Sequence, residues 1–363
     1  MRYVDEYRNK KLIRQATDVI KDIMPARNIR FMEVCGTHTQ NFLRFGLDKL
    51  IPPSLKLISG PGCPVCVSTQ EYIDKAIIYA KLKDAVILTF GDMLKVPGSH
   101  SSLEKERARG GDVRVLYSAR DSLRVAKDNP GKKIIFLAVG FETTAPTIAL
   151  TILAAGKENI KNLFFFSSLK LIPAAMKQLV ADRRLDVKGF LCPGHVSAII
   201  GVRPYEFIPR RFKIGCCIAG FEPLDILQGL YFLLRQVKDN RPAVENQYQR
   251  AVKTYGNPKA KRIIAKVFKV EDASWRGLGD IPNSGLKIRD EFRRFEVENR
   301  FPISHKSQVT SHKSGKCKCA DVLKGLIQPT ECSLFSRTCK PDNPIGPCMV
   351  SSEGACNAYY RYR

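Results

Sequence analysis

With 363 residues, 44% of them apolar, the chain has material for two or three domains, each with its own core. Its 60 Lys and Arg against 35 Asp and Glu give a net charge of +25. The basic clusters at 105–109, 203–213, 257–269 and 289–295 are interspersed with acids and match no nucleic-acid-binding pattern, so they read as a solvated surface favouring acidic partners, not nucleic acid. No run of about 18 apolar residues is present to span a membrane, and the polar start MRYVDEYRNK carries no export signal. The expectation is a cytoplasmic protein whose twelve cysteines serve as metal ligands or redox thiols rather than as a disulfide framework.

In chain order, short apolar runs at 29–34, 55–59, 85–90, 133–139, 162–168, 187–191 and 214–219 read as strands. Amphipathic stretches at 68–82, 145–156, 172–183 and 222–237 read as helices between them. That alternation predicts an α/β protein: parallel sheets covered by helices, split into two similar domains. Almost every unusual segment begins where a predicted strand stops: CGTHT after the first, GPGCPVC after the second, GDMLKVPGSH after the third, GFETTAPT after the fourth, CPGHVS after the sixth and GFEPLD after the seventh. Ligands of open parallel sheets bind outside the carboxyl ends of the strands, so these residues are expected on one rim.

The first such segment places Cys35 three residues before His38, and CPGHVS repeats the layout with Cys192 and His195. A lone pair of this kind is ordinarily core packing; two on one rim suit a soft metal such as iron, copper or zinc. In GPGCPVCVSTQE, Cys63 and Cys66 form a C-x-x-C, and Ser68 with Glu71 fits a capping box, which would set both thiols near the positive end of the following helix. Reversible disulfide chemistry fits this pair better than zinc, since no second C-x-x-C stands at zinc spacing. GFETTAPT contributes Glu142, Thr143, Thr144 and Thr147 around a helix start capped by Thr144, an acid and hydroxyls that can bond a small ligand or relay a proton. WRGLGDIPNSGL, 275–286, lacks the G-x-G-x-x-G spacing of a nucleotide loop and reads as a loop over the cleft.

Six of the twelve cysteines lie between 317 and 356, among prolines and polar residues with little core of their own. Such a segment needs a metal or cross-links to hold a shape. Cys332, Cys339, Cys348 and Cys356, carried on loops, suit a [4Fe-4S] cluster or zinc.

Taken together, FMEVCGTHT, SGPGCPVCV, GFETTAPT, CPGHVS, GFEPLDIL, WRGLGDIPNSGL and ECSLFSRTCKPDNPIGPCMVSSEGACNAYY resemble the HypD family of hydrogenase maturation factors, in order over most of the chain. The resemblance implies two similar α/β domains facing a cleft and a third, cluster-bearing domain. On this chain that reads as 1–128 with CGTHT and CPVC, 129–221 with GFETTAPT and CPGHVS, and 222–363 as helical connection and [4Fe-4S] domain. It further implies an iron–sulfur scaffold on which the Fe(CN)2CO group of [NiFe]-hydrogenase is built, with a HypC-like small chaperone and a HypE-like donor that delivers cyanide as a cysteine-bound thiocyanate. Under it Cys35 is the ligand of the transient iron, with His38 its neighbour. Cys63 and Cys66 are the redox pair, and Cys332, Cys339, Cys348 and Cys356 are the cluster ligands. The rival reading is a stand-alone Fe–S electron carrier or thiol oxidoreductase. Cys216, Cys217, Cys317 and Cys319 receive no role.

Overall fold

The computed structural model describes residues 4–303 and 317–363. Eleven strands form two sheets among the described residues: β1 Ile29–Glu33, β2 Leu55–Ser59, β3 Ala85–Thr89, β4 Asp112–Val115, β5 Lys133–Gly140, β6 Leu163–Lys170, β7 Gly189–Pro193, β8 Gly215–Ala219, β9 Val244–Asn246, β10 Phe268–Trp275 and β11 Gly279–Ile288. One sheet runs β2-β1-β7-β8-β9 and is parallel throughout. The other runs β10-β11-β6-β5-β3-β4, with β6, β5, β3 and β4 parallel and the β10–β11 hairpin added antiparallel at one edge. The α/β class is therefore as expected.

The pairing cuts across the contiguous spans 1–128 and 129–221. β1 and β2 join β7–β9, whereas β3 and β4 join β5 and β6, so each sheet draws strands from both spans. Interior strands of parallel sheets are apolar on both faces, and nothing in such a run names its neighbour.

The alternation of each strand divides the interior into three cores. Ile87, Ile135, Leu137, Phe164 and Phe166 of one sheet and Met32, Phe190, Cys192, Cys216 and Ile218 of the other face a shared central core, which takes in helices Gln70–Ala80 and Ile172–Ala181. The intervening residues Val86, Leu88, Ile134, Phe136 and Phe165 face helix Ala145–Lys157. Ile29, Phe31, Leu191, Cys217 and Ala219 face helices Lys10–Ile23 and Pro223–Lys238. The tandem Cys216–Cys217 is thus two small apolar residues on opposite faces of β8. Among the described residues no helix is long and apolar enough to cross a membrane.

The C-terminal segment builds no separate core. Cys319, Cys339, Cys348, Met349 and Cys356 belong to the central core, and Ala358 and Tyr359 of helix Ala355–Tyr362 to the outer core beside helix Gly36–Arg44. WRGLGDIPNSGL is the turn and second strand of the β10–β11 hairpin rather than a loop.

Candidate functional site: a thiol-lined junction

β1 ends at Glu33, and Val34 still donates its backbone N–H to Leu191 of β7, so Cys35 is the first residue free of the sheet. It is extended, at φ −152° and ψ 119°, and stands at the N-cap of helix Gly36–Arg44, its thiol close to the amide and hydroxyl of Thr37. Beneath it lies the buried carboxyl of Glu33, which accepts from Cys35 N at 2.8 Å and from the Thr39 hydroxyl. Burial pushes Glu33 up to about 8. The Cys35 thiol goes up to about 12, through burial first and then the nearby carboxyls of Glu353 and Glu33. Cys35 is thus a neutral thiol that an electrophilic metal would have to deprotonate on binding.

The loop after β2 is stitched to this one. Gly60 N donates to Glu33 O at 2.8 Å and Gly36 N to Gly62 O at 3.2 Å. A Cβ on Gly62 would stand 2.3 Å from Cys35 N and 2.4 Å from its Cα, so only glycine permits the approach. One residue on, Cys63 caps the one-turn helix Pro64–Val67, its Sγ accepting from Cys66 N at 3.3 Å. The long helix begins later than the capping-box reading, at Gln70, with Thr69 as its cap, so the thiols do not sit at its N-terminus. Accordingly, Cys66 is not a depressed thiol: burial pushes it well up.

The C-terminal segment closes the junction. Glu353 accepts from the Thr37 hydroxyl at 2.8 Å, and Ser351 donates to Asp92 of the loop after β3 at 2.6 Å. The Cys66 thiol leans on Pro347 O at 3.9 Å and engages Cys348, which in turn engages Cys319 and Cys356. Cys317 donates to Cys319 Sγ at 3.3 Å, and Cys339 Sγ accepts from Ile345 N at 3.4 Å. Cys319, which the sequence reading left without a role, is therefore central to the nest. Cys332 is half-buried and, among the described residues, hydrogen-bonds to no other thiol. Among those residues no group of three or more His, Cys, Asp or Glu is arranged around a single metal ion. The donors on offer are soft sulfurs spread over several turns, a set that suits a polynuclear iron–sulfur group better than one tetrahedral ion.

The remaining predicted residues lie elsewhere. Cys192 is inside β7, fully buried, its thiol 3.8 Å from Phe190 O and beside Cys216, so it is core rather than rim. His38 and His195 both stack on Phe221, with ring centroids 4.7 and 4.0 Å away. His38 Nε2 donates to Gly220 O at 2.9 Å, and burial takes the ring down to about 4, so it is neutral with Nδ1 bare. Glu142 is buried at the end of β5, where it accepts from Ile172 N at 3.1 Å and is pushed by burial to about 8; its second oxygen has no partner. Thr143 is half-buried, and Thr144 stands at the N-cap of helix Ala145–Lys157 without donating or accepting a capping bond.

Fold and junction define a class: an α/β protein in which the loop after β2 and a C-terminal segment gather the thiols of Cys66, Cys317, Cys319, Cys348 and Cys356, while Gly62, directly before Cys63, brings that loop against the backbone of Cys35. Residues 10–363 match the model of the HypD family, described as "Hydrogenase formation hypA family". The chain is 42% identical to hydrogenase maturation factor HypD2 of Bradyrhizobium diazoefficiens over its whole length and 97% of that protein. It is 44% identical to HypD of Azotobacter vinelandii, covering 97% of that chain, and 42% identical to HypD of Escherichia coli, covering 98%. The chain belongs to the HypD family.

Proposed function

We propose that this protein is a hydrogenase maturation factor that serves as the iron–sulfur scaffold for the Fe(CN)2CO group, working with a HypC-like chaperone and a HypE-like cyanide donor in the cytoplasm. The observation that carries the reading is the backbone contact of the Cys35 and Cys63 loops, with Cys66 in turn against Cys348. Iron is the cargo. Cys35 would hold it jointly with a thiolate from the chaperone, a reading supported by its position just past the end of β1.

Cys63 and Cys66 supply two electrons to the cyanide donor. In balance, R–S–CN plus two cysteine thiols gives R–SH, HCN and the Cys63–Cys66 disulfide: the S–CN bond breaks, an S–S bond forms, and the two thiol protons leave on R–SH and HCN. A [4Fe-4S] cluster, when bound, supplies electrons one at a time to restore the dithiol. Cys339, Cys348 and Cys356 would hold it, with Cys332, from the family resemblance, or Cys319, from its contacts with Cys348 and Cys356, as the fourth ligand. Glu33 anchors the Cys35 backbone, and Gly62 sets how close the two loops stand.

The test is Cys35→Ser, in complex with the HypC-like protein and purified without oxygen. Iron–sulfur absorption should survive while the infrared bands of bound CN and CO vanish. Bands at full intensity would show that Cys35 is not the ligand. The rival reading, a stand-alone electron carrier, requires no such bands in the parent complex.

A further inference from the structure

The tip of the β10–β11 hairpin is pinned into the thiol junction. Trp275 is buried, its indole N–H donating to the Ser284 hydroxyl at 2.9 Å, and Arg276 N donates to Val67 O, in the helix that carries Cys66, at 2.9 Å. Gly277, at φ +82°, lets the turn lie on the other cysteine segment: a Cβ there would stand 2.8 Å from Ala320 Cα, next to Cys319. The Arg276 side chain enters the space between. Its Nε donates to Ser68 O at 2.6 Å and its Nη1 to Gln70 Oε1 at 3.1 Å, while Nη2, wholly removed from solvent, has no partner.

A buried guanidinium is ordinarily paired with a carboxylate, since desolvating it alone costs several kcal/mol. Among the described residues no carboxylate forms an ion pair with Arg276. Burial lowers its pKa, and the groups that oppose this are all sulfurs: Cys319, Cys348, Cys317 and Cys66, in that order. A permanent cation with a spare donor therefore faces a nest of sulfurs that carry negative charge once they ligate metal as thiolates.

We propose that Arg276 is the counter-cation of this sulfur nest, a positioning residue whose charge and free Nη2 stabilise the anionic, electron-rich state of the cluster held there. The inference rests on the cluster reading made under the proposed function. Net charge and hydrogen bonds to sulfur are the levers by which a protein sets an iron–sulfur potential, and both act more strongly out of water. A cation favours the reduced form, so its loss lowers the potential.

The experiment is an EPR-monitored potentiometric titration of the anaerobically reconstituted full chain. Arg276→Gln should lower the reduced-to-oxidised ratio at a fixed applied potential roughly tenfold, which is about 59 mV for one electron. Arg276→Lys, keeping the charge without the fork, should recover most of the shift. Gln70→Glu leaves Arg276 in place but neutralises it, and should shift the potential in the same direction even if Arg276→Gln does not fold. A cluster in the parent with unchanged potentials in Arg276→Gln and Gln70→Glu overturns the proposal and leaves the cluster reading standing. A parent that binds no cluster overturns both.

Discussion

The two C-x-x-H stretches have the same spacing and follow the same kind of strand, yet the fold uses them differently. β1 ends two residues before Cys35, whereas β7 runs one residue past Cys192. That offset decides the chemistry: the first thiol stands free of the sheet over a buried carboxyl, and the second points into the central core beside Cys216. The histidines also part from their cysteines, both turning to Phe221. Position relative to the strand end, not spacing, makes a cysteine available.

Removing each thiol in turn tests the division most directly. Cys35→Ala should reduce hydrogenase maturation roughly 100-fold in a complementation assay, the order seen when a metal site is disrupted, with little change in melting temperature, while Cys192→Ala should keep maturation. Equal losses in both variants would refute the division.

Each sheet also carries a buried carboxyl at a strand end, Glu33 of β1 and Glu142 after β5, both held near 8 by burial against an ordinary 4.5. Below pH 4.5 each is protonated in folded and unfolded chains alike, and folding carries no penalty. As pH rises toward 8 the unfolded chain loses the proton first, so stability falls and then levels off. Glu142→Gln should remove its share, on the order of a few kcal/mol, and flatten the decline of melting temperature over this range relative to the parent. Parallel curves from scanning calorimetry would show that Glu142 is already ionised in the fold.

Smaller effects sharpen the contrast. Cys192→Ser, setting a hydroxyl in the central core, should cost about 1–3 kcal/mol in denaturant unfolding. Cys35→Ser should cost less than Cys192→Ser, and the reverse ranking would contradict the burial argument. Phe221→Leu, which removes both imidazole stacks at about 0.5–1.5 kcal/mol each, should cost a comparable amount. It should move the NMR shifts of His38 and His195 together, and a change confined to one ring would mean that the halves are not coupled there.

Much of the fold was legible because apolar runs of strand length alternate with helical periods, and the rim because Gly and Cys cluster where those runs stop. Strand partners were not: β1 pairs with β7 158 residues away, Phe31 with Gly189, and two runs buried on both faces carry no mark of each other. The β10–β11 hairpin was masked by Gly277, Gly279 and Pro282, which speak for a loop locally while the edge pairing with β6 overrides them. Glu33 left a trace, an acid in the otherwise apolar FMEV, directly before the motif cysteine. Arg276 stands in the quoted WRGLGDIPNSGL, but nothing in that stretch marks its side chain for the thiols. Cys319 went unassigned because only the folded chain brings it to Cys348.

The interleaving of the two sheets has a consequence for biosynthesis. When β1 and β2 leave the ribosome, β7, the other neighbour of β1, has not been made, and the sheet is not complete until residue 246 has emerged. The second sheet, from β3 to β6, is complete in its parallel part by residue 170 and can fold first. The Cys35 and Cys63 loops therefore wait, thiols exposed, through the synthesis of more than a hundred residues, a period in which a holding partner or a reducing environment protects them from oxidation and from edge-to-edge association.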